Sequence, residues 1–411
     1  MPEFLQLCPA GEALARLLNS LPARPARVER VQVTQALGRV SAARLVSPEA
    51  LPAFDRSTVD GYALRARDSY GASETLPCYL ALVGEAPMGR APQFALGPGQ
   101  AALIHTGGML PEGADAVVML EYTQSARPGE LEVLRAVAPG ENVLLCGEDV
   151  EPGQEILAAG ARLRPAEIGG LLALGVTALD VLARPRAAIL SSGDELVAPT
   201  ARAGAGQVRD INSYTLAALV EEHGGLAQHY GIIPDQADAL DAALRRALDE
   251  CDLAVITAGS SASTRDLTAA AIARMGQPGV LVHGVNVKPG KPTILGVCAG
   301  KPVIGLPGNP VSALVIARLF LVPLLRRLGG LADAPPAARL RARLSASVPS
   351  QAGRDDYVPV RLLDTDAGLS AEPIFYKSNL IFTLARAAGL AHIPADATGL
   401  AAGDWVEVEL I

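Results

Sequence analysis

At 411 residues the chain exceeds what one hydrophobic core usually supports, so two to four domains are expected, and a half-hydrophobic composition excludes chain-wide disorder. The formal net charge of −8 excludes an electrostatic grip on duplex nucleic acid, and no apolar run approaches the ~20 residues that a membrane-spanning helix needs. The opening residues, MPEFLQLCPAGEA, lack the basic and apolar blocks of a signal peptide, which sets a cytoplasmic location as the expectation. Residues 9–20 and 34–47 have the apolar spacing of helices, and the LPAFDRSTVDGYALRARD stretch after them reads as ordered loop. From about 76 to 135, short runs rich in Val, Leu and Ile are broken by GEAPMG, LGPGQ, LPEGAD and SARPGE, the pattern of an all-β insertion. A turn-rich stretch over 139–160 leads to Pro165, which opens a helix at the position where proline is best tolerated. The apolar runs RAAILSSG, LAQHYGIIP, CDLAVITAG and KPVIGLPG follow, the first three separated by helical patterns at 212–224 and 236–249, and predict a parallel sheet with helices on its faces. Around 327–341 the chain reads as a linker, and YVPVRLL and DWVEVELI beyond it predict a small β-rich C-terminal domain.

Cys8, Cys78, Cys146, Cys251 and Cys298 are scattered without C-x-x-C spacing, so they read as mostly buried thiols rather than as disulfides or a zinc knuckle. The five histidines, His105, His223, His229, His283 and His392, show no paired ligand spacing, so a structural zinc is not expected.

In an open parallel sheet ligands bind outside the carboxyl ends of the strands, so the loops directly after the apolar runs are where chemistry belongs. The first is Ser191-Ser192-Gly193-Asp194-Glu195, where a Ser/Gly turn offers N–H groups and two carboxylates follow; Asp194 alone reads as a cap of a turn or helix. The second contains Asp235. The third contains Ser260, Ser261, Ser263, Thr264 and Asp266, and a helical pattern starts next; such a run of hydroxyls suits a phosphate, since one helix cap needs only one of them. The fourth feature joins Lys288-Pro289-Gly290-Lys291-Pro292 to the GLPGNPVSA loop containing Pro307, and two lysines clamped between prolines in apolar surroundings point to phosphate or oxyanion contact. Glu195, Asp235 and Asp266 each follow an apolar run, and three carboxylates suit a hard cation such as Mg²⁺ shared with substrate phosphate. By spacing alone, Asp60-Gly61-Tyr62 and Thr106-Gly107-Gly108 read as turns and Glu148-Asp149 as solvated charge.

Taken together, PAFDRSTVDGYAL, ALIHTGGMLPEGADAVVM, GEDVEPGQ, SSGDEL, the serine loop ending in Asp266, KPGKP and GLPGNPVSA resemble the MoeA/gephyrin E-domain family, the molybdopterin molybdenumtransferases of molybdenum cofactor biosynthesis. The resemblance implies a multidomain α/β protein: a central parallel-sheet domain similar to the molybdopterin adenylyltransferases, a β-rich inserted domain and a C-terminal β-barrel. Its boundaries would be a linker and dimerisation domain at 1–45 plus 141–183, the insertion at 46–140, the α/β domain at 184–330 and the barrel at 331–411. It also implies a homodimer, a contact with molybdopterin adenylyltransferase, and a Mg²⁺-dependent reaction of molybdopterin adenylate with molybdate that gives molybdenum cofactor and AMP. By position, Asp60, Thr106, Asp149, Glu195, Asp235 and Asp266 match functional positions of the family, with Asp149, Glu195, Asp235 and Asp266 as metal ligands. Lys288, Lys291 and Ser378 match ligand or anion contacts, and Pro307 joins them in the binding set with Ser260, Ser261, Ser263 and Thr264.

Three departures from the family pattern stand out. Val59 replaces a methionine, Ala258 and Ser263 replace glycines in the serine loop, and Val143-Leu144-Leu145-Cys146 occupies a segment where many relatives carry arginines. Other readings of the same fold are an adenylyltransferase acting one step earlier, a tungstate-preferring enzyme, and a pterin-binding scaffold without catalysis.

Overall fold

The computed structural model describes residues 7–23, 27–258, 262–331 and 338–411. Its centre is a six-stranded sheet in the order Leu226–Ile233, Arg186–Ser192, Leu253–Ala258, Lys301–Pro307, Ile294–Cys298 and Pro278–His283. The four runs read from the sequence as parallel strands do pair in parallel. The sheet as a whole is mixed, because Ile294–Cys298 enters antiparallel between Lys301–Pro307 and Pro278–His283. Alternating side chains feed two cores: Ala187 and Ile189 face one, Ala188 and Leu190 the other. Continuous apolar strands of this kind are what a sheet covered on both faces requires. Helices Asn212–Glu222 and Ala237–Glu250 fall on the predicted segments, and helix Ala10–Asn19 sinks Ala13 and Leu17 into the first of the two cores.

The 34–47 segment is not a helix. Val33–Gln35 makes a single 3₁₀ turn, Gly38 then takes φ +75°, and Leu45–Val46 pairs with Glu155–Leu157. The helix-like spacing of its apolar residues instead serves a compact core with Val33, Ala36, Leu157 and Leu163. The strand Val28–Gln32, which precedes it, pairs with Ala178–Leu182 just before the central sheet begins.

The β-rich insertion exists, and it recruits a piece of the presumed loop before it. Gly61–Leu64 is a strand between Ala116–Met119 and Gln100–Ile104 in a six-stranded sheet. Gly61 must lack a side chain there, since a Cβ would stand 2.0 Å from the Val118 carbonyl oxygen. Of the cysteines, Cys8, Cys251 and Cys298 are buried, Cys78 is half-buried, Cys146 is exposed, and all five are free thiols. Cys146 departs from the buried expectation because it sits in a turn, its N–H donating to Asp55 Oδ1 at 2.7 Å.

At the C-terminus, Asp355–Thr365, Gly368–Pro373, Arg339–Leu344, Trp405–Leu410 and Gly389–Ile393 pair in sequence, and Asp355–Thr365 pairs again with Gly389–Ile393. The five strands therefore close into a barrel, which removes their free edges. The linker read at 327–341 runs partly through 332–337, outside the described residues. Among the described residues no helix is long and apolar enough to cross a membrane.

Candidate active site

Strand register sets the geometry of the site before any side chain is considered. Ile233 lies beside Ser192, Ser192 beside Ala258, and Ala258 beside Pro307, so four parallel strands end in one row. At about 4.8 Å between strands the row is about 14 Å long. Each loop singled out after a strand opens on the same edge. The chain steps from Arg186–Ser192 outward to Leu226–Ile233 and returns across it to Leu253–Ala258, leaving a crevice at the switch between Ser192 and Ala258.

One end of the row is acidic. Ser192 Oγ donates to Asp235 Oδ1 at 2.7 Å, and Asp235 N–H donates to Asp194 Oδ1 at 3.2 Å. These bonds tie two loops together and hold the Asp235 carboxylate in place. Asp194 thus acts in loop geometry, in keeping with its reading as a cap. Glu195 is exposed; its carbonyl accepts the Val208 N–H at 2.9 Å, which fixes its backbone, and its carboxylate lies over Gly193, where a Cβ would stand 2.7 Å from Oε2. Beneath them, Ser191 Oγ lies 2.9 Å from Ser213 Oγ and 3.1 Å from Thr257 Oγ1, and Ser213 donates a short hydrogen bond to buried Asp210. That buried hydroxyl chain is a floor for the crevice.

Ser260 and Ser261 lie outside the described residues, as do the side chains of Ser263, Thr264 and Asp266. The helix Ala262–Arg274 carries the last three. Asp149 belongs to the 139–160 stretch, exposed, with its N–H donating to the Leu51 carbonyl at 3.0 Å. Among the described residues no group of three or more His, Cys, Asp or Glu side chains could hold a metal ion.

The other end of the row is cationic. Val287–Lys288 pairs in parallel with Asp355 and Asp356, so the barrel is stitched to the lysine loop. Buried Asp356 receives Arg354 at 2.8 Å from Nε and Lys288 at 3.9 Å from Nζ. A cavity of about 690 Å³ opens there, lined by Lys288, Lys291, Pro307, Ser378, Arg354 and Asp356 among others. Three cations against one carboxylate leave this lining positive. Burial raises the Tyr357 hydroxyl to about 12 and raises Tyr376 as well, so both phenols stay neutral. The Ser378 carbonyl accepts the Val311 N–H at 3.1 Å, docking its loop on the helix Pro310–Ile316.

Arg354 and Asp356 were not singled out from the sequence. No local pattern points from RDDY to KPGKP, because their contact is made by pairing between strands some 70 residues apart. Asp60 and Thr106 do meet, on the inserted sheet. Asp60 Oδ1 accepts the Thr106 N–H at 2.8 Å and its hydroxyl at 3.2 Å, with His105 Nδ1 at 3.6 Å. The Thr106 backbone bond, then its hydroxyl, hold the Asp60 carboxyl below the usual carboxylate range, and His105 adds to this.

Three family models match successive parts of the chain: the MoeA N-terminal region (domain I and II) over 8–175, a probable molybdopterin binding domain over 188–327, and the MoeA C-terminal region (domain IV) over 341–411. The chain is 36% identical over 389 residues to molybdopterin molybdenumtransferase 2 of Mycobacterium tuberculosis, a match covering 94% of this chain and 95% of that one. The chain belongs to the MoeA family. It is also 30% identical over 407 residues to the molybdopterin molybdenumtransferase of Bacillus subtilis, covering 98% of this chain and 94% of the relative. The crystal structure of the molybdopterin biosynthesis MoeA protein from Pyrococcus horikoshii OT3 superposes with a TM-score of 0.86 at 32% identity, covering 99% of this chain and all of that one. Within the MoeA framework, the acidic crevice and the cationic cavity both lie at the strand ends of the molybdopterin-binding unit, the cavity being completed by the C-terminal barrel.

Proposed function

We propose that this MoeA chain is a molybdopterin molybdenumtransferase, which takes molybdopterin adenylate and molybdate and releases molybdenum cofactor and AMP. One observation carries the reading: acids toward one end and a positive cavity toward the other of a row of strand ends about 14 Å long, matching an elongated anionic substrate with two chemically different ends. Lys288, Lys291 and Arg354 bind the oxyanion, and Asp356 fixes two of those cations from below. Ser378 and Pro307 close the wall. Asp235, oriented by Ser192, and Glu195 face the phosphoanhydride.

The described donors there are carboxylate oxygens, with no imidazole or thiol among the predicted ligands, and such a set fits a hard cation that keeps waters and shares phosphate oxygens. Asp235, Glu195 and Asp266 would hold Mg²⁺. When bound, the ion neutralises charge on the anhydride phosphates. Asp60, with Thr106, lies in the insertion, and we assign it to the site of a homodimer in which one protomer's insertion reaches its partner; Asp149, in the linker and dimerisation part, would join the metal ligands. The chain is read as four units with the boundaries expected above, working in the cytoplasm and receiving its substrate by contact with a molybdopterin adenylyltransferase.

The test is AMP release from molybdopterin adenylate by purified protein with Mg²⁺ and molybdate, with tungstate as a parallel arm. Release with either oxyanion is the expected result. Substrate that binds and yields no AMP refutes the reading.

A further inference from the structure

A second cavity, of about 320 Å³, lies away from both ends of the row, where the 38–40 turn and Arg162 meet the C-terminal ends of two helices of the central unit. Four arginines line it: Arg39, Arg162, Arg184 and Arg326. Two are committed to the fold. Arg184 donates to the Gly224 and Gly225 carbonyls at 3.2 and 2.6 Å, and Arg39 to Glu29 and the Leu182 carbonyl. The side chains of Arg162, which is exposed, and Arg326 make no hydrogen bond or ion pair among the described residues, although Glu221 and Glu222 share the lining.

The cavity also holds an orphaned nitrogen atom. His223 Nε2, in the lining, is one of the four buried side-chain polar atoms among the described residues that lack a hydrogen-bond partner. Burial pushes the His223 imidazole down; Glu222 opposes this, while Arg318, Arg326 and Arg162 push it further down. A buried donor without an acceptor destabilises the fold until something accepts from it. This orphan is a nitrogen able to donate, and the unpaired guanidinium groups of Arg162 and Arg326 line the cavity with it. The common complement is a ligand rich in acceptor oxygens and carrying negative charge.

We propose that this cavity is a binding site for a tetrahedral dianionic oxyanion of the phosphate class, free or as the terminal group of a nucleotide, bridging Arg162 to His223 and Arg326. It joins the first unit to the central one through the Leu182–Pro185 connection, so occupancy would tie the two together independently of the catalytic cavity.

The experiment is calorimetric titration of the full chain with inorganic phosphate and, separately, AMP. Three proteins are compared: the parent, Arg162→Ala/Arg326→Ala and Lys288→Ala/Lys291→Ala. Since Arg162 and Arg326 form no polar contact to lose, the first variant should keep the parent's melting profile and its AMP-release activity. It is expected to lose one phosphate equivalent, or at least tenfold in affinity, which the lysine variant retains. Competition by AMP at the retained site assigns the ligand as a nucleotide phosphate, and its absence as a free oxyanion. Phosphate binding that is unchanged in the arginine variant, or abolished by the lysine variant alone, overturns the proposal.

Discussion

Gly290 stands at the centre of the lysine loop, and replacing it by alanine is a severe test of how that loop is held. Its φ is +120°, and an added Cβ would lie 2.2 Å from Cγ1 and 2.4 Å from Cδ1 of Ile316. Ile316 is fully buried in the central core and has no free direction of retreat. The backbone alone costs a residue with a Cβ about 1–3 kcal/mol at such a φ. Overpacking against Ile316 adds about 1–3 kcal/mol. Gly290→Ala should therefore destabilise the unit by about 2–6 kcal/mol, or relieve itself by displacing the loop. Displacement moves Lys288 and Lys291, so the loss of oxyanion affinity should reach tenfold, equivalent to about 1.4 kcal/mol. Urea unfolding and molybdate titration measure the two arms. Ile316→Ala removes the clashing atoms at its own cost of about 2–5 kcal/mol, and the double variant should then be less damaged than the sum of the singles, since the steric part is shared. A Gly290→Ala protein with the parent's unfolding midpoint and the parent's molybdate affinity would refute this account of the loop.

Glu195→Ala should reduce AMP release by orders of magnitude with an unchanged melting curve, and Asp235→Ala should reduce it as far while also losing the stability of its bond from Ser192; normal turnover in both would remove them from the reaction. Ser192→Ala leaves Asp235 without its 2.7 Å donor and should cost about 0.5–1.5 kcal/mol in stability alongside a smaller loss of kcat. Thr106→Val deletes the hydroxyl donor to Asp60 but spares the backbone N–H, the larger cause of its depressed carboxyl pKa, so that value should move part of the way back up. A depressed carboxylate contributes stability above its unfolded pKa and loses it as pH falls through the folded value, so in Thr106→Val the acidic limb of activity and stability should shift to higher pH; an unmoved limb would show that Asp60 does not control it.

Much of the site was legible as residues and little of it as an arrangement. Asp235, Lys288, Lys291 and the Ser192–Glu195 loop follow apolar runs or sit between prolines, and both signals are local. Arg354 and Asp356 were invisible because what recruits them is parallel pairing with Val287–Lys288. By spacing alone Asp60 and Thr106 looked like turn chemistry and only the family resemblance made them site candidates; that the carboxylate sits on the threonine's N–H and hydroxyl was decided by the inserted sheet. The helical reading of 34–47 failed because apolar spacing over such a short stretch fits a 3₁₀ turn and bridging strands equally well.

By itself the sequence determined the membership of the MoeA family, the four parallel strands of the central sheet and the loops that follow them, since apolar runs, glycines and prolines act over a few residues. The tertiary structure alone decided that those loops share one edge, through the register of Ile233, Ser192, Ala258 and Pro307. It also decided that a C-terminal barrel completes the lysine cavity and that Arg162 meets His223 at a separate junction. Register and closure are summed over many weak pairings between distant segments, and no single stretch of chain encodes them.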